Sequence, residues 1–158
     1  MSTKQYLTVC PGQTERLGKK LCQDVLKRRL KERALVIALS GDLGGGKTTF
    51  LKGFARGLGI KDKILSPTFI IMRKSQIPNP EQRFRFLYHL DCYRIEKPKE
   101  ILELGFREII ADPKNIVAIE WSEKIKKILP PNTFSVKFEL VTGQQNQRRI
   151  IVSRPKWF

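Results

Sequence analysis

The chain has 158 residues, 41% hydrophobic and 29% charged, a composition that excludes a disordered chain and is long enough to bury a full core. Thirty-one Lys and Arg against fifteen Asp and Glu leave a formal +16, which favours encounters with polyanions, nucleic acid above all, or else is a solvated basic surface. No apolar run approaches the ~20 residues of a membrane span, the N-terminus shows no signal-peptide core, and Cys10, Cys22 and Cys92 are too scattered for a disulfide framework or metal pair.

A cytoplasmic protein with no membrane association is expected. It is read as one domain over residues 1–158, with a core at about residues 5–153 and a short tail at 154–158. In chain order, residues 6–9 are a short strand candidate that Pro11-Gly12 breaks. Thr14 then opens a helix whose Leu17, Leu21, Val25 and Leu26 face the core, with Lys19, Lys20, Lys27, Arg28 and Arg29 on the exposed side. Residues 34–40 are nearly unbroken apolar sequence, as in a strand buried on both faces.

Directly after that strand comes Gly41-Asp42-Leu43-Gly44-Gly45-Gly46-Lys47-Thr48-Thr49, which fits G-x-x-x-x-G-K-[ST]. Glycines allow the backbone to curl into a nest of N–H groups around phosphate oxygens. The lysine supplies an ammonium to the β- and γ-phosphates, and the Thr48 hydroxyl can ligate Mg²⁺. Phe50, Leu51, Phe54 and Leu58 then recur at helical spacing, so the helix dipole also points at the loop. Strand, glycine-rich loop and helix together identify a nucleotide-binding P-loop, with ATP and Mg²⁺ as the expected ligands.

Gly57-Leu58-Gly59 caps that helix, and Ser66-Pro67-Thr68 precedes a strand expected at 69–72. Residues 76–82 form a loop, and 83–89 read as a strand pairing back on the preceding one. His89-Leu90-Asp91-Cys92-Tyr93-Arg94 is a dense polar cluster where that strand runs out. Asp91 can serve Mg²⁺ through water, orient an attacking water, or merely cap the next turn; His89 reads as a hydrogen-bonded structural histidine. Two short helices, 98–104 and 106–110, are split by Gly105. A second buried strand at 115–121 carries Glu120 at its C-terminal end, where open α/β sheets place their ligands and where a Mg²⁺-bound triphosphate needs a carboxylate. A short helix at 122–129 and a hairpin of 134–141 with 148–153 across Gly143 complete the pattern. The fold class is therefore α/β, P-loop NTPase-like, with a mixed central sheet flanked by helices.

The succession Gln13-Thr14-Glu15-Arg16-Leu17-Gly18, the glycine-rich loop, Ser66-Pro67-Thr68-Phe69, His89-Leu90-Asp91-Cys92-Tyr93-Arg94, Gly105-Phe106 and Glu120-Trp121 resembles the TsaE (YjeE) family. That family provides the small ATPase of bacterial tRNA threonylcarbamoyladenosine synthesis, and the resemblance covers about residues 5–153. It implies a partner complex of TsaD with TsaB, which attaches threonylcarbamoyl to adenosine 37 of tRNAs reading codons that begin with A. The TsaE-like protein binds and hydrolyses ATP at that complex and resets it between turnovers, meeting tRNA through the complex.

Carried over by position, Lys47 holds phosphates within the cradle of Asp42, Leu43, Gly44, Gly45, Gly46 and Thr49. Thr48 and Glu120 hold Mg²⁺, and Asp91, beside the metal, supports hydrolysis. Thr14 lies near the adenine and Trp121 beside the nucleotide, while Ser66 and Thr68 belong to a loop sensing the γ-phosphate or the partner. The chain departs from the family at Gly45, where Ala is more usual, and a looser loop is expected. Two other readings stand beside this one. A small-molecule P-loop kinase shares the strand-loop-helix start, and a basic RNA-binding module without catalysis is suggested by the charge alone.

Overall fold

The computed structural model describes residues 2–28, 32–62, 64 and 70–155. Their strands are β1 (Ser2–Thr8), β2 (Leu35–Gly41), β3 (Met72–Gln76), β4 (Phe86–Asp91), β5 (Asn115–Glu120), β6 (Phe134–Val141) and β7 (Gln144–Arg154). They form one sheet in the order β1-β7-β6-β2-β5-β4-β3. The inner four, β6, β2, β5 and β4, run parallel. Antiparallel pairing adds β7 and β1 at one side and β3 at the other. The fold is thus the α/β, mixed-sheet, P-loop NTPase-like arrangement expected.

Helices α1 (Pro11–Leu26) and α2 (Lys47–Gly57) pack on one face through Leu21, Val25, Phe50, Leu51 and Phe54. Helices α3 (Pro98–Glu103) and α4 (Phe106–Ala111), with a 3-10 helix at Ser122–Ile128, cover the other face through Ile101, Phe106 and Ile125. Covered on both sides, β5 is buried at every residue, which is why its sequence is apolar rather than alternating. The two helices of the first layer approach closely at Gly18 and Gly53. A Cβ at Gly18 would run into the Phe50 carbonyl, and one at Gly53 into the Glu15 carbonyl. Among the described residues no helix is long and apolar enough to cross a membrane.

Several element boundaries differ from expectation. Helix α1 starts at Pro11 rather than Thr14, because proline at the first helical position has its φ preset and needs no amide partner. Strand β3 occupies Met72–Gln76 rather than 69–72: Ile70 and Ile71 are outside the ladder, and Phe69 is outside the described residues. Strand β4 runs Phe86–Asp91 instead of 83–89, since its parallel register with β5 spans Phe86↔Asn115 to Asp91↔Glu120. Strand β7 already begins at Gln144, its polar first residues lying outside the core.

Because β2, β4 and β5 are parallel, their C-terminal ends share one rim. That rim brings Gly41, Asp91 and Glu120 together although they are far apart in the chain.

Candidate functional site

The loop between β2 and α2 is held from below by β6. Gly41, Gly44 and Gly46 have φ of 119°, 73° and 101°, a region that glycine occupies without a Cβ penalty. Phe138 floors the loop, packing edge-on against Phe50 with ring centroids 5.6 Å apart. Gly45 donates its N–H to the Asp42 carbonyl at 3.0 Å. A Cβ there would stand 2.9 Å from that oxygen and 3.2 Å from Phe138 Cβ. A side chain at this position would therefore need its neighbours to shift by a few tenths of an ångström. Leu43, at the tip, is 75% exposed, and Thr49 lies in the first turn of α2.

Lys47 starts α2 and is almost wholly buried. Its Nζ donates to the carbonyls of Gly41 at 2.6 Å and Asp42 at 2.8 Å, and lies 3.9 Å from the centre of the Trp121 ring. Burial holds its pKa below the ordinary lysine value, against the pull of Glu120, Glu123, Asp42 and Asp91. Trp121 has φ 56° and ψ 39°, a left-handed conformation that a bulky side chain adopts at a cost. This turn lays the indole beside Lys47 and against Tyr93, whose ring centre is 5.0 Å away.

Opposite the lysine, Thr48 Oγ1 lies 3.0 and 2.8 Å from the two carboxylate oxygens of Glu120. Asp91 is the register partner of Glu120 on the adjacent strand, and its Oδ1 accepts the Tyr93 N–H at 3.0 Å. Asp91 thus does cap the turn after β4, while standing next to the second carboxylate. His89 Nε2 is 2.9 Å from Glu120 Oε1, with both residues 2% exposed. No group of three His, Cys, Asp or Glu side chains among the described residues could cage a metal unaided. One hydroxyl with one or two carboxylates is instead the donor set that suits Mg²⁺, which keeps waters and takes further oxygens from phosphates. The residues present fit that ion.

Thr14 is buried, its Oγ1 paired with Thr8 Oγ1 at 2.8 Å. Its methyl lies 3.5 Å from where a Gly46 Cβ would be, so the start of α1 borders the loop. Beside the loop tip is a cleft of about 540 Å³ bordered by Leu43, Gly44, Leu140, Gln145 and Arg148. Arg148 Nε donates to the Gly44 carbonyl at 3.0 Å, tying the β6–β7 hairpin to the loop. A larger cleft, about 620 Å³, lies along α2 near Ala55, Arg56 and Ile60 and shares no residue with the loop.

The structure thus gathers Thr14, Asp42, Leu43, Gly44, Gly45, Gly46, Lys47, Thr48, Thr49, Asp91, Glu120 and Trp121 around one rim. Ser66 and Thr68 lie outside the described residues. Arg94 is exposed in the turn beyond Asp91. Sequence reasoning missed Phe138 and Arg148, whose strands look like an ordinary hairpin. It also missed the tie between His89 and Glu120. The one available signal was parity: His89 and Asp91 alternate onto the same face of β4, the face that carries Glu120 on β5.

Strand, glycine-rich loop, helix and a carboxylate on the neighbouring strand define a P-loop NTPase-like protein of the α/β class. The model of the TsaE family, "Threonylcarbamoyl adenosine biosynthesis protein TsaE", matches residues 10–150. The chain is 34% identical to the tRNA threonylcarbamoyladenosine biosynthesis protein TsaE of Haemophilus influenzae, over 83% of this chain and 78% of that protein. It is 41% identical to the Nostoc protein of the same description, over 72% and 67% of the two chains. The crystal structure of YdiB from Bacillus subtilis superposes with a TM-score of 0.73 and 27% identity, covering 98% of this chain and 86% of that one. The chain belongs to the TsaE family, and so to tRNA threonylcarbamoyladenosine biosynthesis.

Proposed function

We propose that this protein binds ATP with Mg²⁺ and hydrolyses it in the cytoplasm as an accessory of a TsaD–TsaB-type complex, supporting turnover of adenosine-37 modification on tRNA. The observation that carries this reading is the placement of Thr48 within 2.8 Å of the Glu120 carboxylate, one residue from Lys47 and beside Asp91. When bound, Mg²⁺ supplies charge neutralisation across the phosphates. Everything else falls to the chain. Backbone N–H groups of residues 42–49 surround the phosphates with Lys47 as the fixed cation. Thr48 and Glu120 orient the ion, and Asp91 holds or accepts a proton from the attacking water.

Thr14 and the cleft beside Leu43 flank the path of the nucleoside, while Trp121 closes the phosphate side. Ser66 and Thr68 sense the γ-phosphate or the partner. Transition-state charge in phosphoryl transfer is often met by an arginine worth ~10³–10⁵ in rate. Arg148 is bound to the loop backbone, and Arg94 lies in the exposed turn beyond Asp91. Hydrolysis by the isolated chain is therefore slow and rises on docking, with ATP strengthening docking by linkage. Steady-state hydrolysis alone and with the purified complex and tRNA, together with complex affinity with and without ATP, tests this. Rapid turnover alone, with docking indifferent to nucleotide, defeats it.

A further inference from the structure

We infer that His89 is the positioning residue that aims the Glu120 carboxylate at Thr48. Glu120 has three side-chain torsions and sits at a strand end, so its carboxylate needs a second anchor to hold one orientation. Thr48 gives one contact, to both oxygens. His89 gives the other, from Nε2 to Oε1 at 2.9 Å across the β4–β5 ladder. Where Glu120 is the carboxylate that holds a metal, it can only accept, and His89 Nε2 is then the donor of that contact.

Packing alone gives no reason for an imidazole here. The same face carries Leu87 before it on β4, and Ile116 and Ala118 on β5, all in the apolar cluster under α2, and turns polar only at the rim with Asp91 and Glu120; Arg73 is the register partner of His89 on β3. Among the described residues His89 Nδ1 is buried and has no hydrogen-bond partner, so the ring's one described polar contact is the Nε2 contact to Glu120. What the ring supplies is one donor, aimed at one oxygen of the carboxylate that faces Thr48. Outer partners of this kind fix ligand orientation and are worth about 10- to 100-fold in metal affinity.

This inference rests on the Mg²⁺–ATP reading above and deepens it. The test measures affinity for a non-hydrolysable ATP analogue, with Mg²⁺ and in chelator, for the parent, His89→Leu and His89→Gln. Direct Mn²⁺ binding by electron paramagnetic resonance is measured alongside. His89→Leu is expected to keep its chelator-only affinity and lose about tenfold of the gain from the metal. His89→Gln, whose Nε2 can donate to the same oxygen, is expected to recover most of it. A full metal gain in His89→Leu, or a glutamine variant no better than leucine, overturns the assignment. Should His89→Leu not fold, His89→Asn is compared with His89→Gln: the shorter amide cannot reach Oε1, so equal metal gains in both overturn it as well. A parent protein with no metal gain fails at the Mg²⁺ reading itself and takes this inference with it, a result distinct from loss or retention in the variants.

Discussion

Lys47→Met separates nucleotide binding from folding. In the free protein the Lys47 ammonium is satisfied by the Gly41 and Asp42 carbonyls at 2.6 and 2.8 Å and by the Trp121 ring at 3.9 Å. ATP must draw it from some of these partners, so the lysine contributes the difference between contacts to neutral carbonyls and contacts to anionic oxygens. That difference amounts to about one charge-assisted hydrogen bond, roughly 1.5–3 kcal/mol. The variant is thus expected to bind ATP about 10- to 150-fold more weakly. Methionine keeps most of the buried stem and removes a desolvated charge, so unfolding free energy without nucleotide should stay within about 1 kcal/mol of the parent. Calorimetric titration with ATP and urea denaturation of the free protein give the two numbers. Unchanged affinity refutes the phosphate role, and a stability loss matching the affinity loss would make Lys47 a structural group instead.

Glu120→Gln and Asp91→Asn each keep an acceptor oxygen, for Thr48 or for the Tyr93 N–H; both should bind nucleotide appreciably, yet lose most Mg²⁺-dependent hydrolysis measured with the partner complex, by about 10²-fold or more for Asp91 if it handles the water proton. A parental rate in either variant removes that residue from the chemistry. Phe138→Ala should cost about 3–5 kcal/mol in urea unfolding and weaken ATP binding as well, because the ring floors the loop and meets Phe50; a loss under about 1 kcal/mol would show that the floor is not needed. Burial pushes the Cys22 and Cys92 thiols up to about 12, whereas Cys10 is exposed. An aromatic disulfide reagent at pH 8 should therefore modify one thiol quickly in the native protein and all three after denaturation, and a second fast native thiol would contradict the burial.

The sequence by itself determined the parts of this protein whose physics is local. A phosphate cradle is a run of consecutive backbone groups, so Gly41 to Thr48 is legible without any fold. Apolar runs long enough for doubly covered strands gave β2 and β5, and glycine and proline marked α3, α4 and the final hairpin. Glu120 was legible as a candidate because open α/β sheets place their ligands at strand C-terminal ends, while its place opposite Thr48 depends on β5 lying beside β2. Boundaries were harder at β3 and β4, where the ladder register of β4 with β5 and of β3 with β4, not local alternation, decides which residues pair.

Only the tertiary structure decided what rests on contacts between distant segments. Phe138 becomes the floor of the loop because β6 lies beside β2, a neighbour relation that hydropathy does not encode. The space around Gly45 is set in part by that placement, since a Cβ there would stand 3.2 Å from Phe138 Cβ as well as 2.9 Å from the Asp42 carbonyl of the loop itself. His89 looked like an ordinary buried histidine until β4 was set parallel to β5, which brings its Nε2 to Glu120. Side-chain roles of this kind depend on distances across the sheet, and a linear sequence carries residue types and spacing but not those distances.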